Sequence, residues 1–238
     1  MSAATSLSQA ALAATVLAST VGTYVALSPP HVGKASPPTT TGDALQRLHL
    51  ASQNTTNAVV APLGLLSLHT AGLALCYPAV LRHPGGRLAS VASGCITWSP
   101  ATTLSLALIL CLGIPLRLCS YASLGTSFTF VLAQPDRLIT TGLYRYLQHP
   151  SYVGVQVLLV GNAALLCRTD GVLACWIPPA WHRSATTLAW TLATVAVSAL
   201  AWAGRLRVRQ EEQMLRAKFS ADWEKWHAAT ARFIPFLI

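Results

Sequence analysis

The chain has 238 residues, of which 53% are hydrophobic and only 10% are charged, and its mean hydropathy is +0.50. A soluble domain carries about 25% charged residues, so this composition excludes a water-soluble globular protein. The net charge of +9 does not indicate a nucleic-acid partner, because the basic residues occupy short loops and the C-terminal tail, as expected beside lipid headgroups.

Long apolar runs predict five membrane helices. A helix needs about 20 apolar residues to cross the hydrocarbon core, and only internally hydrogen-bonded structures satisfy their backbone in lipid. The predicted fold class is therefore an all-α, polytopic integral membrane helix bundle. In chain order the spans are Leu7–Leu27, Val59–Leu81, Pro100–Leu118, Tyr152–Trp176 and Ala185–Ala203.

The first span has an alternative interpretation as a cleaved signal peptide. No basic residue precedes it, however, and the run is long and rich in Ala, Val, Thr and Leu. These features favour a membrane anchor.

The charge distribution predicts the sidedness of the bundle. The segment Ser28–Asn57 is rich in Ser, Thr, Pro and Asn and predicts a flexible loop without a core. Five spans place this loop, the Arg117–Gln148 segment and the tail from Gly204 on one side, with two, three and seven of the sixteen Lys and Arg residues. The positive-inside tendency makes that side cytosolic.

The six cysteines show no CxxC pair and no metal-ligand spacing. Most of them lie within or beside apolar runs, so we expect small buried hydrophobes and no metal site. They are Cys76, Cys95, Cys111, Cys119, Cys167 and Cys175.

A first polar block, residues 141–154, precedes the fourth span. Gly142 permits a turn, and Pro150 suits the first position of a helix, whose unpaired N–H groups attract an anion. His149 lies at the same place and can donate or accept a hydrogen bond. The alternative is an ordinary aromatic belt at the membrane interface. Ring faces that favour a cation belong to Tyr144, Tyr146 and Tyr152.

A second polar block, residues 205–212, follows the last span and starts a helix that leaves the membrane. Arg207 and Glu211 are four residues apart and share a helical face. They form either an ion pair worth roughly a few tenths of a kcal/mol, or a site in which Arg207 binds an anionic substrate group and Glu211 a cofactor group. Glu212 lies about 100° further round the helix, which favours a structural role. If the two spans between the blocks form a hairpin, both blocks emerge on one face and can build one site.

Four motifs carry a family pattern in order and spacing. They are LITTGLY at 138–144, HPSYVG at 149–154, Arg207-x-x-x-Glu211-Glu212-x-x-Leu215, and RFIPF at 232–236. Over about the last 110 residues, from Ser127 on, the chain resembles the isoprenylcysteine carboxyl methyltransferases. The upstream half matches only as generic membrane helices.

This resemblance implies an endoplasmic reticulum membrane enzyme with its active site facing the cytosol. It would transfer a methyl group from S-adenosylmethionine to the C-terminal carboxylate of a prenylated cysteine in CaaX-processed proteins or peptides. Membrane lipid is the second expected partner. Residues 1–126 would supply N-terminal membrane helices and loops, and residues 127–238 the catalytic region, with a membrane hairpin and a cytosolic helical part that binds the cofactor.

The resemblance also implies roles for individual residues. Arg207 would bind the substrate carboxylate and would be the catalytic residue. The cofactor contacts would be Asp136, Arg137, Leu138, Ile139, Tyr144, His149, Pro150, Ser151, Tyr152 and Glu211.

The chain departs from the family pattern at several positions. Gln148 stands where the family usually has Arg or a similar base before His-Pro, and Leu143 stands where it often has Pro. Ser220 replaces the Gly of a Phe-Gly pair. The tyrosines that follow are Trp223 and Trp226.

Three other functions stay open. A phospholipid amine methyltransferase would share the membrane setting, but a neutral amine acceptor suits Arg207 poorly. A membrane sterol reductase has related C-terminal patterns, but the chain is short for one and its loops offer few basic residues for a 2′-phosphate. A non-enzymatic membrane adaptor or transporter component is the third; a transporter should place charges inside its spans, and these spans hold almost none.

Overall fold

The computed structural model describes residues 2–28, 52–80, 97–125, 128, 134–169 and 171–234. Within these ranges the fold consists of helices, and one isolated parallel bridge joins Leu147 to Ala231. The main helices are α1 (Ser2–Leu27), α2 (Gln53–Val80), α3 (Pro100–Leu124), α4 (Pro150–Leu166) and α5 (His182–Ala229). Short 3₁₀ turns occupy Gly142–Arg145, Val172–Cys175 and Pro179–Trp181.

The predicted all-α polytopic bundle is confirmed. Helices α1, α2, α3 and α5 are each long and apolar enough to cross a membrane, whereas α4 is a shorter apolar helix of 17 residues. The α3 helix contains a π-helical stretch at Leu108–Gly113.

The prediction for the fourth span was wrong at its C-terminal end. The span was expected to reach Trp176, but α4 ends at Leu166. The polar residues 168–170 interrupt the apolar run, and a charged residue such as Arg168 is costly in hydrocarbon. Gly171 then closes a turn by donating its N–H to the Arg168 carbonyl.

The second span begins earlier than expected, so residues 53–57 are helical and do not belong to the predicted loop. Ser52 explains this start, because its hydroxyl accepts a hydrogen bond from the Thr55 amide, as a helix N-cap does. The rest of that predicted loop, residues 29–51, lies outside the described residues, as do residues 235–238 at the C-terminus.

Helices α3 and α4 approach each other closely through glycines. A Cβ on Gly154 would lie 3.1 Å from the Arg117 backbone nitrogen and 3.2 Å from the Gly113 carbonyl oxygen. A Cβ on Gly161 would lie 2.9 Å from the Ile109 side chain. This contact positions the first turn of α4 directly against α3, where the candidate site is built.

Small polar side chains join α1 to α2 and α4 inside the bundle. Thr20 and Ser67 share a hydrogen bond of 2.5 Å. The fully buried Asn162 donates to Thr23 at 3.0 Å and to the Leu158 carbonyl at 2.8 Å. Hydrogen bonds of this kind hold membrane helices together where the hydrophobic effect contributes little.

Helix α5 has two chemically different halves. None of the residues in its most apolar window is buried in the bundle, whereas its polar half, from Arg205, packs on the site. Ser220 (φ 42°, ψ −109°) breaks the helix, and Arg216 then pairs with Glu224 across the break at 2.7 Å. We call residues 182–219 the α5 stem and residues 221–229 the α5 arm.

The prediction of buried cysteines was wrong for the five cysteines that the structure describes. All five are free and exposed on the bundle surface, because the apolar runs that contain them turn these faces outward, toward the expected lipid. Cys95 lies outside the described residues. The five are Cys76, Cys111, Cys119, Cys167 and Cys175.

Candidate active site

The loop before α4 is a tight turn that buries a tyrosine. Gly142 has a φ of +63°, a conformation that favours glycine, and it opens the 3₁₀ turn Gly142–Arg145. Tyr144 in this turn is buried. Burial raises the pKa of the Tyr144 hydroxyl well above its ordinary value, and the nearby Glu211 carboxylate acts in the same direction, so this hydroxyl stays protonated at neutral pH.

Helix α4 begins as the sequence predicted, with Pro150 at its first position and His149 as the residue before it. Pro150, Ser151 and His149 are all buried. The Ser151 hydroxyl accepts a hydrogen bond from Arg117 of α3. The first turn of α4 is therefore fixed to the neighbouring helix by a charged group.

The two polar blocks meet at Tyr152. Its hydroxyl accepts a hydrogen bond from Nε of Arg207 at 3.3 Å and donates one to Oε2 of Glu211 at 2.8 Å. Arg207 is 4% exposed, whereas the Glu211 side chain is 31% exposed. The arrangement places a buried guanidinium beside a carboxylate that a solute can reach.

His149 connects this cluster to a second carboxylate. Its Nε2 lies 3.3 Å from Oε1 of Glu212, and Arg232 pairs with the same oxygen at 3.1 Å. Burial of Glu212 opposes its ionisation, but the hydrogen bond with His149 and the positive charge of Arg232 outweigh burial and hold the pKa of Glu212 below its ordinary value. Glu212 is thus in a position to orient the His149 ring, and its structural role stays a prediction.

The other ring nitrogen of His149, Nδ1, is buried and has no hydrogen-bond partner among the described residues. The nearest carboxylate oxygen, Oε2 of Glu211, is 3.9 Å away, which is too far for a hydrogen bond. A buried polar atom without a partner is costly, so Nδ1 is a candidate ligand contact.

The segment after the α5 arm packs against the residues that precede α4. The backbone N–H of Gln148 donates to the Ala231 carbonyl at 2.9 Å, and the backbone N–H of His149 donates to the Arg232 carbonyl at 3.1 Å. Trp226 of the arm donates from Nε1 to the Tyr144 carbonyl at 2.7 Å. These bonds hold the first polar block between α4 and the C-terminal segment.

Gln148 explains one departure from the family pattern. Its side chain is buried, and Nε2 donates to the carbonyls of His227 and Thr230 at 3.1 and 2.8 Å. Its Oε1 lies 2.8 Å from Nδ1 of His227. The amide therefore satisfies carbonyls at the end of the α5 arm, a place where helices leave acceptors unpaired.

Sequence reasoning missed Arg117, which is 6% exposed and lies in the last two turns of α3. Its Nε donates to the Ala26 carbonyl of α1 at 3.1 Å, and its guanidinium lies over the Tyr121 ring at 4.7 Å. The signal was available, because a cation at the end of an apolar run is expensive and marks a structural or functional site.

Residues 136–139, which were predicted to contact the cofactor, are placed differently from the other predicted site residues. Asp136 and Arg137 are exposed, and Leu138 and Ile139 are partly buried. Within the described ranges none of the four makes a side-chain hydrogen bond or ion pair with the Tyr152, Arg207 and Glu211 cluster. Their predicted contact with a cofactor stays a prediction.

Comparison with known proteins supplies an independent observation. The family model of the isoprenylcysteine carboxyl methyltransferases matches residues 105–182. The matched segment is about a third of the chain, and over it the chain is similar to this family. Within this family match lie Arg117, Tyr144 and the His149–Tyr152 segment, whereas Arg207 and Glu211 lie beyond it.

Curated proteins that are similar to this chain carry names that belong to the same family. Probable protein-S-isoprenylcysteine O-methyltransferases from the indica and japonica subspecies of rice (Oryza sativa) are each 27% identical over 131 residues, which is 53% of this chain and 57% of theirs. A protein-S-isoprenylcysteine O-methyltransferase from Schizosaccharomyces pombe is 39% identical over 61 residues, 24% of this chain and 26% of its own. The match with the rice proteins thus spans less than two thirds of their length.

Proposed function

We propose that this protein is a membrane methyltransferase that uses S-adenosylmethionine to methylate the C-terminal carboxylate of a prenylated cysteine. The observation that carries the proposal is the cluster in which Tyr152 joins the buried Arg207 to Glu211. The similarity to the family also supports the proposal, because the matched segment contains Tyr152 of that cluster.

The residues around α4 fit the cofactor. Glu211 is exposed enough to accept hydrogen bonds from ribose hydroxyl or amino groups, and Nδ1 of His149 offers a buried polar contact. The N-terminus of α4 favours a carboxylate, because its first amides lack helical partners. S-Adenosylmethionine, when bound, supplies an electrophilic methyl group on a sulfonium sulfur.

Arg207 would hold the acceptor. A terminal carboxylate has a pKa of about 3.5, so it is ionised at neutral pH and no residue needs to remove a proton. A guanidinium can bind both carboxylate oxygens through parallel N–H donors, which fixes the direction of attack. Alignment of two reactants can contribute roughly 7–11 kcal/mol to a barrier, and we assign most of the acceleration to this effect.

Tyr152 would set the orientation of Arg207, and the buried surroundings would keep water out. His149, Ser151 and Arg207 are each less than a tenth exposed. The positive sulfonium and the negative carboxylate lose their charges together, so a dry site favours the reaction.

The prenyl chain would lie in lipid beside α4 and α5. The two helices approach closely at Gly204, where a Cβ would lie 2.9 Å from Nε2 of Gln156. The apolar window of the α5 stem has no buried residue, so the space next to α4 is open to lipid. Burial of a prenyl chain gains about 0.8 kcal/mol per CH2.

The finer expectations are part of the same proposal. The substrates would be CaaX-processed proteins or peptides, the compartment the endoplasmic reticulum membrane, and the site would face the cytosol. The position of the polar α5 half and its basic residues at one end of the bundle supports a cytosolic site.

The test is methyl transfer from labelled S-adenosylmethionine to N-acetyl-S-farnesylcysteine in membranes that contain the chain. Base-labile label on this acceptor, lost in Arg207→Ala, would support the proposal. Label on phosphatidylethanolamine instead would favour the phospholipid amine alternative. Absence of cofactor binding by the purified, folded protein would reject a methyltransferase and favour an adaptor.

A further inference from the structure

A cavity of about 580 Å³ lies between the α5 stem and the α5 arm. The stem residues that line the cavity lie on the opposite side of the helix from the candidate active site. Successive residues of an α-helix are rotated by about 100° around its axis. Arg209 and Arg216 therefore lie roughly 180° and 160° around the axis from the midpoint between Arg207 and Glu211. Glu212 lines the cavity and also contacts His149. The lining residues are Arg209, Glu212, Gln213, Arg216, Trp223, Glu224, His227 and Arg232.

The charges of the cavity leave one cation available. Arg216 pairs with Glu224, and Arg232 pairs with Glu212. Arg209 is exposed and forms no ion pair with a carboxylate in the part of the chain that the structure describes. Three guanidiniums against two carboxylates give the lining a net charge of +1, which favours an anion.

A second observation also points to a ligand. Trp223 is 6% exposed and lines the cavity, and its Nε1 has no hydrogen-bond partner among the described residues. The His227 ring stacks on the Trp223 ring, with centroids 4.4 Å apart. An indole N–H is a donor only, so a ligand group that reaches this atom would have to be a hydrogen-bond acceptor, as a phosphate oxygen is.

We propose that this cavity binds a phosphate group, and that its source is the headgroup of an anionic membrane lipid. Arg209 comes six residues after Ala203, the end of the predicted span, which is roughly 9 Å along the helix, and its long side chain can reach back toward the headgroups. Guanidinium groups bind phosphate oxygens through paired N–H donors, and tryptophan is common at this depth. The cavity shares Glu212 with the candidate active site, but the test of the proposal measures lipid binding and does not depend on activity.

The experiment uses the full chain purified in detergent and titrated with dihexanoyl phosphatidic acid, with dihexanoyl phosphatidylcholine as the zwitterionic comparison. Binding is measured by the shift of the thermal unfolding midpoint at about 150 mM salt. Arg209→Gln removes the available cation. Arg205→Gln removes an equal charge one turn nearer the membrane, at an exposed position that does not line the cavity.

We expect saturable binding of phosphatidic acid that Arg209→Gln weakens by about tenfold or more, whereas Arg205→Gln changes it less than twofold. Equal weakening by both variants would overturn the proposal, because it would mean attraction to diffuse surface charge. Equal binding of the two lipids would also overturn it. Inorganic phosphate that binds as tightly as phosphatidic acid would overturn the lipid source, whereas weaker phosphate that competes with the lipid would support it.

Discussion

The Tyr152 hydroxyl accepts a hydrogen bond of 3.3 Å from Nε of Arg207, although 55 residues separate the two along the chain. The same hydroxyl donates to Glu211 at 2.8 Å. A phenol that bridges a cation and a carboxylate restricts the direction of both, and we therefore propose Tyr152 as the positioning residue of the candidate site.

Tyr152→Phe should lower kcat for methyl transfer by about 10- to 100-fold while the protein stays folded. The reason is the loss of hydrogen bonds to charged groups, worth roughly 1.5–3 kcal/mol, which leaves Arg207 less well oriented. The measurement is steady-state kinetics with N-acetyl-S-farnesylcysteine. Tyr146→Phe is the matched control, because Tyr146 is 56% exposed; an equal loss in both variants would contradict the role of Tyr152.

Glu211→Gln should weaken cofactor affinity by about tenfold and change the KM of the acceptor less than twofold. A neutral amide accepts weaker hydrogen bonds than a carboxylate, and Glu211 is the exposed carboxylate of the cluster. Titration of the purified protein with S-adenosylhomocysteine measures the effect. Asp222→Asn removes an exposed carboxylate on the α5 arm and should have no effect; unchanged affinity in Glu211→Gln would reject the assignment.

Ser220→Gly should stabilise the protein by about 1–2 kcal/mol. Ser220 has a φ of 42° and a ψ of −109°, a backbone conformation that costs a non-glycine residue of order 1–3 kcal/mol. Unfolding in detergent measures the gain. Ser220→Ala keeps the Cβ and should bring no gain, so equal behaviour of the two variants would show that the backbone is not strained.

Gly154→Ala should destabilise the bundle by about 1–3 kcal/mol, as overpacking of a close contact does. The added Cβ would meet backbone atoms of Arg117 and Gly113 at 3.1 and 3.2 Å, and backbone cannot move aside cheaply. Gly72→Ala is the control in α2, because a Cβ added at Gly72 would meet nothing within 4 Å. The measurement is the thermal unfolding midpoint. Equal midpoints for Gly154→Ala and Gly72→Ala would contradict this account of helix packing.

The sequence predicted the helices better than their ends. Apolar runs located all five, because lipid demands length and low charge, which are visible in composition. The end of α4 was missed because the Arg168 turn sits between two apolar stretches, and the start of α2 was missed because a Ser52 cap extends a helix into polar sequence. The cysteines were misjudged because a residue in a membrane helix can face lipid as readily as the core.

The candidate site was predictable where it follows local patterns. Pro150 at a helix start and the spacing of Arg207 and Glu211 could be read directly. The bridging role of Tyr152 could not, because it depends on how α4 and α5 rotate against each other. The contacts of Gln148 and Arg117 were also hidden, since both join segments far apart in the chain.

The most direct test of the central claim compares Arg207→Lys with Arg205→Lys in methyl transfer to N-acetyl-S-farnesylcysteine. Both changes keep the charge and remove the guanidinium fork, but only Arg207 is buried beside Tyr152. The account predicts that Arg207→Lys loses about 100-fold in kcat/KM with cofactor affinity within about twofold, and that Arg205→Lys is close to wild type. Near-normal turnover by Arg207→Lys would contradict the claim that this guanidinium binds the acceptor carboxylate.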